Sequence, residues 1–327
     1  MAAPSCTNDE FLALWKAYGS PTRIAKHLGV SVKNVYARRN RLAALGHDLA
    51  TWNDTSERRV VLKPDEGKID YSIRNGRVIV FSDAHYWPNQ RTTMHRALLA
   101  MVKQLKPELI VCNGDAFDGG QISRYPRIGW DKKPSVIDEL NAVDAALEEV
   151  RAVAAPGTEF VWPLGNHDAR YETKLAANAP EFEGVRGFHL KDHFPHWRPC
   201  WTLWINGDTC ITHYYHSGIH AIHNNLLKGQ CHYVTGHTHS LKVVMWTNAM
   251  GGTRFGVDTG TLNDAMGQHN MDYQQGRHGN HRSGFAVLTY RDGELLMPEI
   301  AMKYEDDSFE FRGHVLHADT GEVLWTR

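Results

Sequence analysis

The stretch Val78-Ile79-Val80-Phe81-Ser82-Asp83-Ala84-His85 runs four apolar residues straight into an Asp-x-His pair. A short, continuous, β-branched-rich apolar run has the composition of a strand buried on both faces. The residues just after such a strand stand at the sheet edge, where α/β folds place their sites. An Asp and a His two positions apart there can turn toward one point, and carboxylate oxygen with imidazole nitrogen suits a divalent transition metal. Taken alone, the pair also fits an ordinary turn or cap, so the surrounding chain has to decide.

Working outward, Leu109-Ile110-Val111-Cys112 is a second buried strand, ending in Asn113-Gly114-Asp115-Ala116-Phe117-Asp118. Phe160-Val161-Trp162 is a third, ending in Pro163-Leu164-Gly165-Asn166-His167-Asp168. Helical patterns over Thr93–Leu105 and Ser135–Ala154 separate them. This βαβαβ order predicts parallel pairing. Trp201–Ile205, Asn206-Gly207 and Thr209–Thr212 read as a hairpin ending at His213. Tyr233-Val234-Thr235 leads into Gly236-His237-Thr238-His239. Strands over Lys242–Trp246, Phe255–Asp258, Phe285–Tyr290 and Leu295–Ile300 suggest a second, more antiparallel sheet.

Composition sets bounds on this reading. With 327 residues the chain can bury a large core and add a small domain. A formal net charge of -1 excludes a global attraction to polyanions, so any nucleic-acid contact must come from a local patch. Five scattered cysteines with no C-x-x-C pair indicate a reducing compartment without a disulfide frame. No secretory signal segment and no run of membrane-span length are read. The unusual count is 20 histidines, many in the second half beside Asp, Asn and Gly, which favours metal chemistry.

Residues 1–50 differ from the rest. Asp9–Tyr18 carries Phe11, Leu12, Leu14 and Trp15 at helical spacing and stops at Gly19. Ser20-Pro21 opens a second helix with Ile24, Ala25 and Leu28 inward, ended by Gly29. Ser31 caps a third over Val32–Leu45, with Val35 and Leu42 inward and Gly46 as its stop. The order Ala25, Gly29, Val35 resembles the helix-turn-helix pattern of bacterial and phage DNA-binding proteins. Lys33, Asn34, Tyr36, Arg38 and Arg41 on the third helix are the candidate DNA contacts, with Arg39 adding charge. The other account of this face is the solvated side of a small protein-binding bundle. Thr51–Asn75, broken by Pro64 and Gly67, is expected as a linker with a short strand at Arg59–Leu62.

Five strands thus end in oxygen or imidazole ligands, in chain order: Asp83 and His85; Asp115 and Asp118; Asn166 and His167; His213; His237 and His239. A set of five makes the turn-and-cap account poor and a metal centre the better one. The set Asp-x-His, Gly-Asp-x-x-Asp, Gly-Asn-His-Asp, His and Gly-His-x-His resembles the calcineurin-like metallophosphoesterases. The resemblance spans roughly residues 76–302 and implies a two-sheet α/β sandwich flanked by helices, here preceded by a small all-α helix-turn-helix domain, with residues 303–327 as a C-terminal extension. It implies two divalent ions, Mn²⁺ foremost, with Fe, Zn²⁺ or Ni²⁺ also fitting N/O ligands. Carried over, Asp83, His85 and His239 hold one ion, Asn166, His213 and His237 the other, and Asp115 bridges them. Two such ions about 3.5–4 Å apart clamp a phosphate and lower the pKa of a bridging water. His167 matches the histidine that protonates the leaving oxygen, and Asp118 the acid that orients it. Asp168 is expected to be structural, as a loop cap.

Two departures from the family pattern bear on substrate. Some relatives carry Arg directly after the second Asp of Gly-Asp-x-x-Asp, where it grips a terminal phosphate; here that position is Gly119, which fits a diester. The fourth motif reads His213-Tyr214-Tyr215-His216-Ser217-Gly218, so His216 rivals His213 as the ligand. Gly119–Lys133, with Arg124, Tyr125, Arg127, Trp130, Lys132 and Lys133, suits either a nucleic-acid backbone with stacked bases or a plain surface loop. Ala265–Ser283 is expected as a lid and Tyr171–Pro199 as a loop-like insertion. The expected function is a DNA nuclease or nickase placed by the helix-turn-helix, bacterial or phage-encoded and cytoplasmic. The alternatives are a phosphatase or cyclic-nucleotide phosphodiesterase on small substrates, and a DNA-binding regulator with a vestigial enzyme domain.

Overall fold

The computed structural model describes residues 6–18, 20–47, 49, 67–124, 130, 132–248, 252–265 and 279–326. The stop at Gly19, the strand at Arg59–Leu62, Tyr125, Arg127 and residues 266–278 of the expected lid lie outside them. The chain divides into two units, residues 1–62 and 63–327. Among the described residues no helix is long and apolar enough to cross a membrane.

The first unit holds α1 (Asn8–Tyr18), α2 (Pro21–Leu28) and α3 (Val32–Ala44). Thr7 and Glu10 cap α1 reciprocally: the Thr7 N–H donates to Glu10 Oε2 at 2.7 Å and the Glu10 N–H to Thr7 Oγ1 at 3.3 Å. Ser31 Oγ accepts the Asn34 N–H and starts α3, as expected. Ser20 stands at the N-cap of α2 but makes no capping bond there; Pro21 alone presets the first turn. Phe11, Trp15, Ile24, Ala25, Val35, Leu42 and Leu49 form a core of their own.

In the second unit, β1 (Lys68–Tyr71) and β2 (Gly76–Phe81) are followed by α4 (Thr93–Leu105), β3 (Leu109–Cys112), α5 (Val136–Val153) and β4 (Glu159–Pro163). Then come α6 (Arg170–Asn178), α7 (Leu190–His193), β5 (Arg198–Cys200), β6 (Thr202–Ile205), β7 (Thr209–Ile211), α8 (Ala221–Gly229) and β8 (His232–Thr235). The remaining strands are β9 (Lys242–Asn248), β10 (Gly252–Asp258), β11 (Gly284–Arg291), β12 (Glu294–Leu295), β13 (Glu299–Glu305), β14 (Ser308–Phe311), β15 (His314–His317) and β16 (Val323–Thr326). One sheet runs β1-β6-β7-β8-β10-β9, and the other β16-β15-β14-β13-β11-β2-β3-β4-β5 with β12 beside β11.

β2 lies in the middle of the larger sheet, and its alternation builds the layers. Ile79 and Phe81 enter the core under α4 and α5, whereas Val78 and Val80 enter the core between the sheets. β3 repeats this with Ile110 and Cys112 on one side and Leu109 and Val111 on the other. The run of β2, β3, β4 and β5 is parallel, so their C-terminal ends share one edge. α8 covers the outer face of the smaller sheet through Ile222 and Leu226. The architecture is the expected α/β two-sheet sandwich flanked by helices.

Several elements differ from expectation. Lys68–Tyr71, assigned to the linker, is a strand paired parallel with β6, because Ile69 is buried in the inter-sheet core. The later strands do not make a sheet of their own. β9 and β10 extend the smaller sheet, while β11 pairs antiparallel with β2. The reason is burial on both faces: Phe285 and Val287 join one core, Ala286 and Leu288 the other. The expected strand over Leu295–Ile300 is broken into β12 and β13, with Pro298 between them lacking the N–H a ladder requires. The extension after 302 continues the sheet, and Phe309, Phe311 and Leu316 share the main core. The Tyr171–Pro199 insertion contains α6, α7 and the start of β5 rather than loop alone.

Candidate metal centre

The loops that leave β2, β3, β4, β7 and β8 converge. The Asp83, His85 and Tyr86 N–H groups donate to Gly114 O, Asp115 O and Ala116 O, each at 2.9 Å, and zip the first two loops together. Asp168, fully buried, then clamps the second loop to the third. Its Oδ2 accepts from the Asp115 and Gly165 N–H groups at 2.8 Å and from Trp162 Nε1 at 3.1 Å; its Oδ1 accepts from the Phe117 N–H at 3.0 Å. The expected structural role of Asp168 is therefore a buried loop clamp. Gly165 passes so close to Asp115 that a Cβ there would collide with its carboxylate.

Five of the candidate ligands have left-handed backbone: Asp83 (φ 52°), His85 (41°), Asp115 (53°), His237 (66°) and His239 (53°). Such a conformation costs on the order of 1–3 kcal/mol per residue. Asp83 and His85 follow β2, which buries four apolar side chains at roughly 1.5–3 kcal/mol each. That outweighs the strain of these two turns, which aim successive side chains at one place.

Among the described residues, donor atoms of Asp83, His85 and His239 lie within 4.8 Å of one another, as do those of Asp115, His213 and His237 and those of His85, Asp118 and His167. His239 Nε2 is 3.0 Å from Asp83 Oδ1, and His213 Nε2 is 3.1 Å from Asp115 Oδ2 and 3.9 Å from Asp83 Oδ1. Asp115 Oδ1 accepts the His167 N–H at 2.8 Å, and Asp83 Oδ2 accepts the His237 N–H at 2.9 Å. One oxygen of each carboxylate is therefore held by backbone while the other faces the imidazoles. Asn166 Oδ1 and His239 Nδ1 are buried without a hydrogen-bond partner. Orphaned buried polar atoms are costly, and oxygen and imidazole donors that crowd two carboxylates are what a hard-to-borderline divalent ion takes. The donor set fits a metal pair.

The electrostatics agree. Burial would raise the Asp83 carboxyl, but the facing His239 and His213 imidazoles bring it down to about 2. Burial likewise opposes ionisation of Asp115, and His213 with His167 overcomes it, leaving that carboxyl well below the usual range. His213 resists desolvation and is raised to about 10 by Asp115 and Asp83. Burial and then the His213 charge depress His237. These groups neutralise one another with protons where cations would do so.

His167 Nδ1 lies 2.9 Å from Asp118 Oδ1, and its Nε2 is 3.9 Å from Asp115 Oδ2. His85 Nδ1 shares Asp118 Oδ1 at 3.2 Å. His216 is elsewhere: its Nδ1 is 2.7 Å from Asn225 Oδ1 and its Nε2 is 2.8 Å from Lys228 Nζ. Of the candidate DNA contacts, Lys33, Asn34, Tyr36 and Arg41 are exposed on one side of α3. Arg38 is turned inward as a correction to its expected role. Its guanidinium donates to Cys6 O at 2.8 Å and Asn8 Oδ1 at 3.0 Å and stacks on Phe11. Two site residues escaped sequence reasoning. Arg170 contacts His167 three positions along, a spacing that could have signalled it; Glu139 binds the loop after Asp118 from α5, for which nothing local in the sequence is diagnostic.

Residues 76–246, more than half of the chain, match the calcineurin-like phosphoesterase family model, and the chain belongs to that family of metal-dependent phosphoesterases. No curated protein matches the sequence. Among solved structures the chain is similar to Vps29 of Entamoeba histolytica complexed with Zn²⁺, at 13% identity and a TM-score of 0.39 over 74% of this chain and 99% of that one. It is also similar to Yfce, a phosphoesterase of E. coli, at 14% identity and a TM-score of 0.33 over 76% and 97%. A dimetal phosphatase of Danio rerio is 12% identical, with a TM-score of 0.32 over 71% and 96%.

Proposed function

We propose that this chain is a metal-dependent phosphodiesterase acting on DNA, a nuclease or nickase directed to its substrate by the basic side of α3. The clustering of Asp83, His85 and His239 and of Asp115, His213 and His237, together with the buried, unpartnered Oδ1 of Asn166, supports the ester chemistry. Asp83, His85 and His239 would hold one ion and Asn166, His213 and His237 the other, with Asp115 between them. When bound, such a pair of divalent ions supplies Lewis-acid polarisation of a phosphate and a nucleophile at neutral pH. Asp118 fixes the His167 ring through Nδ1. That leaves Nε2, beside Asp115, as the atom from which a proton passes to the leaving oxygen.

One feature supports DNA as the substrate. Lys33 and Arg41 are exposed beside Asn34 and Tyr36 on one short helix, in a chain with no net positive charge, so the basic patch is local. The test is metal-dependent nicking of supercoiled plasmid with Mn²⁺, abolished by Asp115→Ala or His167→Ala. Intact plasmid alongside rapid hydrolysis of an aryl phosphodiester would sink the DNA assignment and leave a small-substrate phosphodiesterase.

A further inference from the structure

Arg170 has no part in the chemistry so far, yet it lies against it. It is the first residue of α6, three positions after His167, so its side chain leans back over the preceding turn. Nη1 donates to Asp118 O at 2.8 Å, and Nη2 is 3.1 Å from His167 Nε2. The aliphatic stem lies over Gly119: a Cβ at Gly119 would sit 3.2 Å from Arg170 Cδ and 3.0 Å from the Phe117 ring, on a backbone with φ +62°. Glycine at 119 therefore leaves the space that the Arg170 stem fills.

Arg170 is half-buried, and the partners of its guanidinium are a carbonyl and an imidazole. Among the described residues no carboxylate forms an ion pair with it, although His167 Nε2 beside it is 3.9 Å from Asp115 Oδ2. A partly desolvated cation without a counter-charge is costly, and its position at the rim of a phosphoesterase centre indicates which anion relieves it. The planar fork of an Arg matches two oxygens of a phosphate group. Only two of its five N–H donors are used in these contacts.

We propose that Arg170 is a substrate-binding residue. Its guanidinium grips a peripheral oxygen of the bound phosphate ester, next to the nitrogen of His167 that faces the leaving group. Nη2 exchanges His167 for the phosphate oxygen, which leaves Nε2 open to the leaving oxygen, while Nη1 stays on Asp118 O. This assignment rests on the phosphoesterase reading above.

Binding of inorganic phosphate to the Mn²⁺-loaded full chain, followed by titration calorimetry, tests it without turnover. Arg170→Ala is expected to weaken phosphate about ten- to a hundredfold, the loss of a charge-assisted contact. Arg170→Lys should recover part of that loss, since it keeps the charge and loses the fork. Both variants should keep the wild-type metal stoichiometry, because Arg170 holds no ion. With a diester substrate the loss should fall on KM more than the removal of His167 does. Wild-type affinity for phosphate in Arg170→Ala overturns the Arg170 assignment alone, as does loss of metal from both variants. Failure of the metal-loaded wild type to bind phosphate or hydrolyse any ester overturns the phosphoesterase reading with it.

Discussion

Asp168 shows how much of the site depends on a residue that holds no ion. Its carboxylate accepts four N–H groups from two stretches of chain, two of them from Asp115 and Phe117. Asp168→Ala leaves those donors buried and unpaired, at roughly 1–3 kcal/mol for each one that finds no water. A loss of about 3 kcal/mol or more in urea unfolding is expected, together with weaker metal binding. A loss below about 1 kcal/mol would mean that water replaces the carboxylate. At the ligands themselves, His213→Ala should reduce metal affinity by more than the tenfold to hundredfold typical of an outer partner. His216→Ala, which cuts a contact to Asn225, should retain the full complement of metal in elemental analysis. The residues of the candidate centre were legible in the sequence because each one follows a short apolar run, and a strand end fixes where its next residues go. Arg38 was misread because its partners, Cys6 and Asn8, are some 30 positions away at and just before the start of α1, and a helical pattern carries no information about them.

At the scale of elements, α5 is tied to the site through Glu139. The Gly119 and Gly120 N–H groups donate to its carboxylate at 2.7 and 3.2 Å. Burial and then the Asp118 charge raise Glu139 from an ordinary 4.5 to about 7. With the folded value above the unfolded one, the folded protein binds the extra proton. The resulting stabilisation is complete below about pH 4.5 and is lost as pH rises through about 7. Urea midpoints should therefore decline over that interval, and Glu139→Gln should lack this part of the decline; parallel pH profiles would exclude the assignment. For α3, a Lys33→Ala/Arg41→Ala pair should weaken DNA binding and reduce the salt slope by about 2, while hydrolysis of a small chromogenic diester is unchanged. Arg38→Ala should instead destabilise the first unit. Existence and type of the strands were readable from apolar runs, but sheet membership was not. β11 has a run much like β3, yet its partner β2 lies about 200 positions earlier in the chain, and nothing local distinguishes that pairing from one with β10.

For the whole molecule, the two units have separate hydrophobic cores: Phe11, Trp15, Ile24 and their neighbours in one, and the layers on either side of β2 in the other. Among the described residues the candidate ligand cluster lies in the second. A ligand stabilises only what folds to make its site, by an amount set by its concentration over its dissociation constant. Mn²⁺ at a hundred times that constant adds about 2.7 kcal/mol, enough to move the midpoint of a unit this size by roughly 5–10 °C. The first unit, whose described residues include seven buried apolar ones in its core, is small enough to be marginal by itself. Differential scanning calorimetry is therefore expected to show two transitions. The larger, carried by residues 63–327, should rise with Mn²⁺ and fall back with chelator, while the smaller stays in place. Asp115→Asn should leave the smaller transition untouched and abolish the metal-dependent shift of the larger. A single transition that moves as a whole with Mn²⁺ would show instead that the helical unit unfolds cooperatively with the metal-binding sandwich. In that case the α3 substitutions should also alter the metal response.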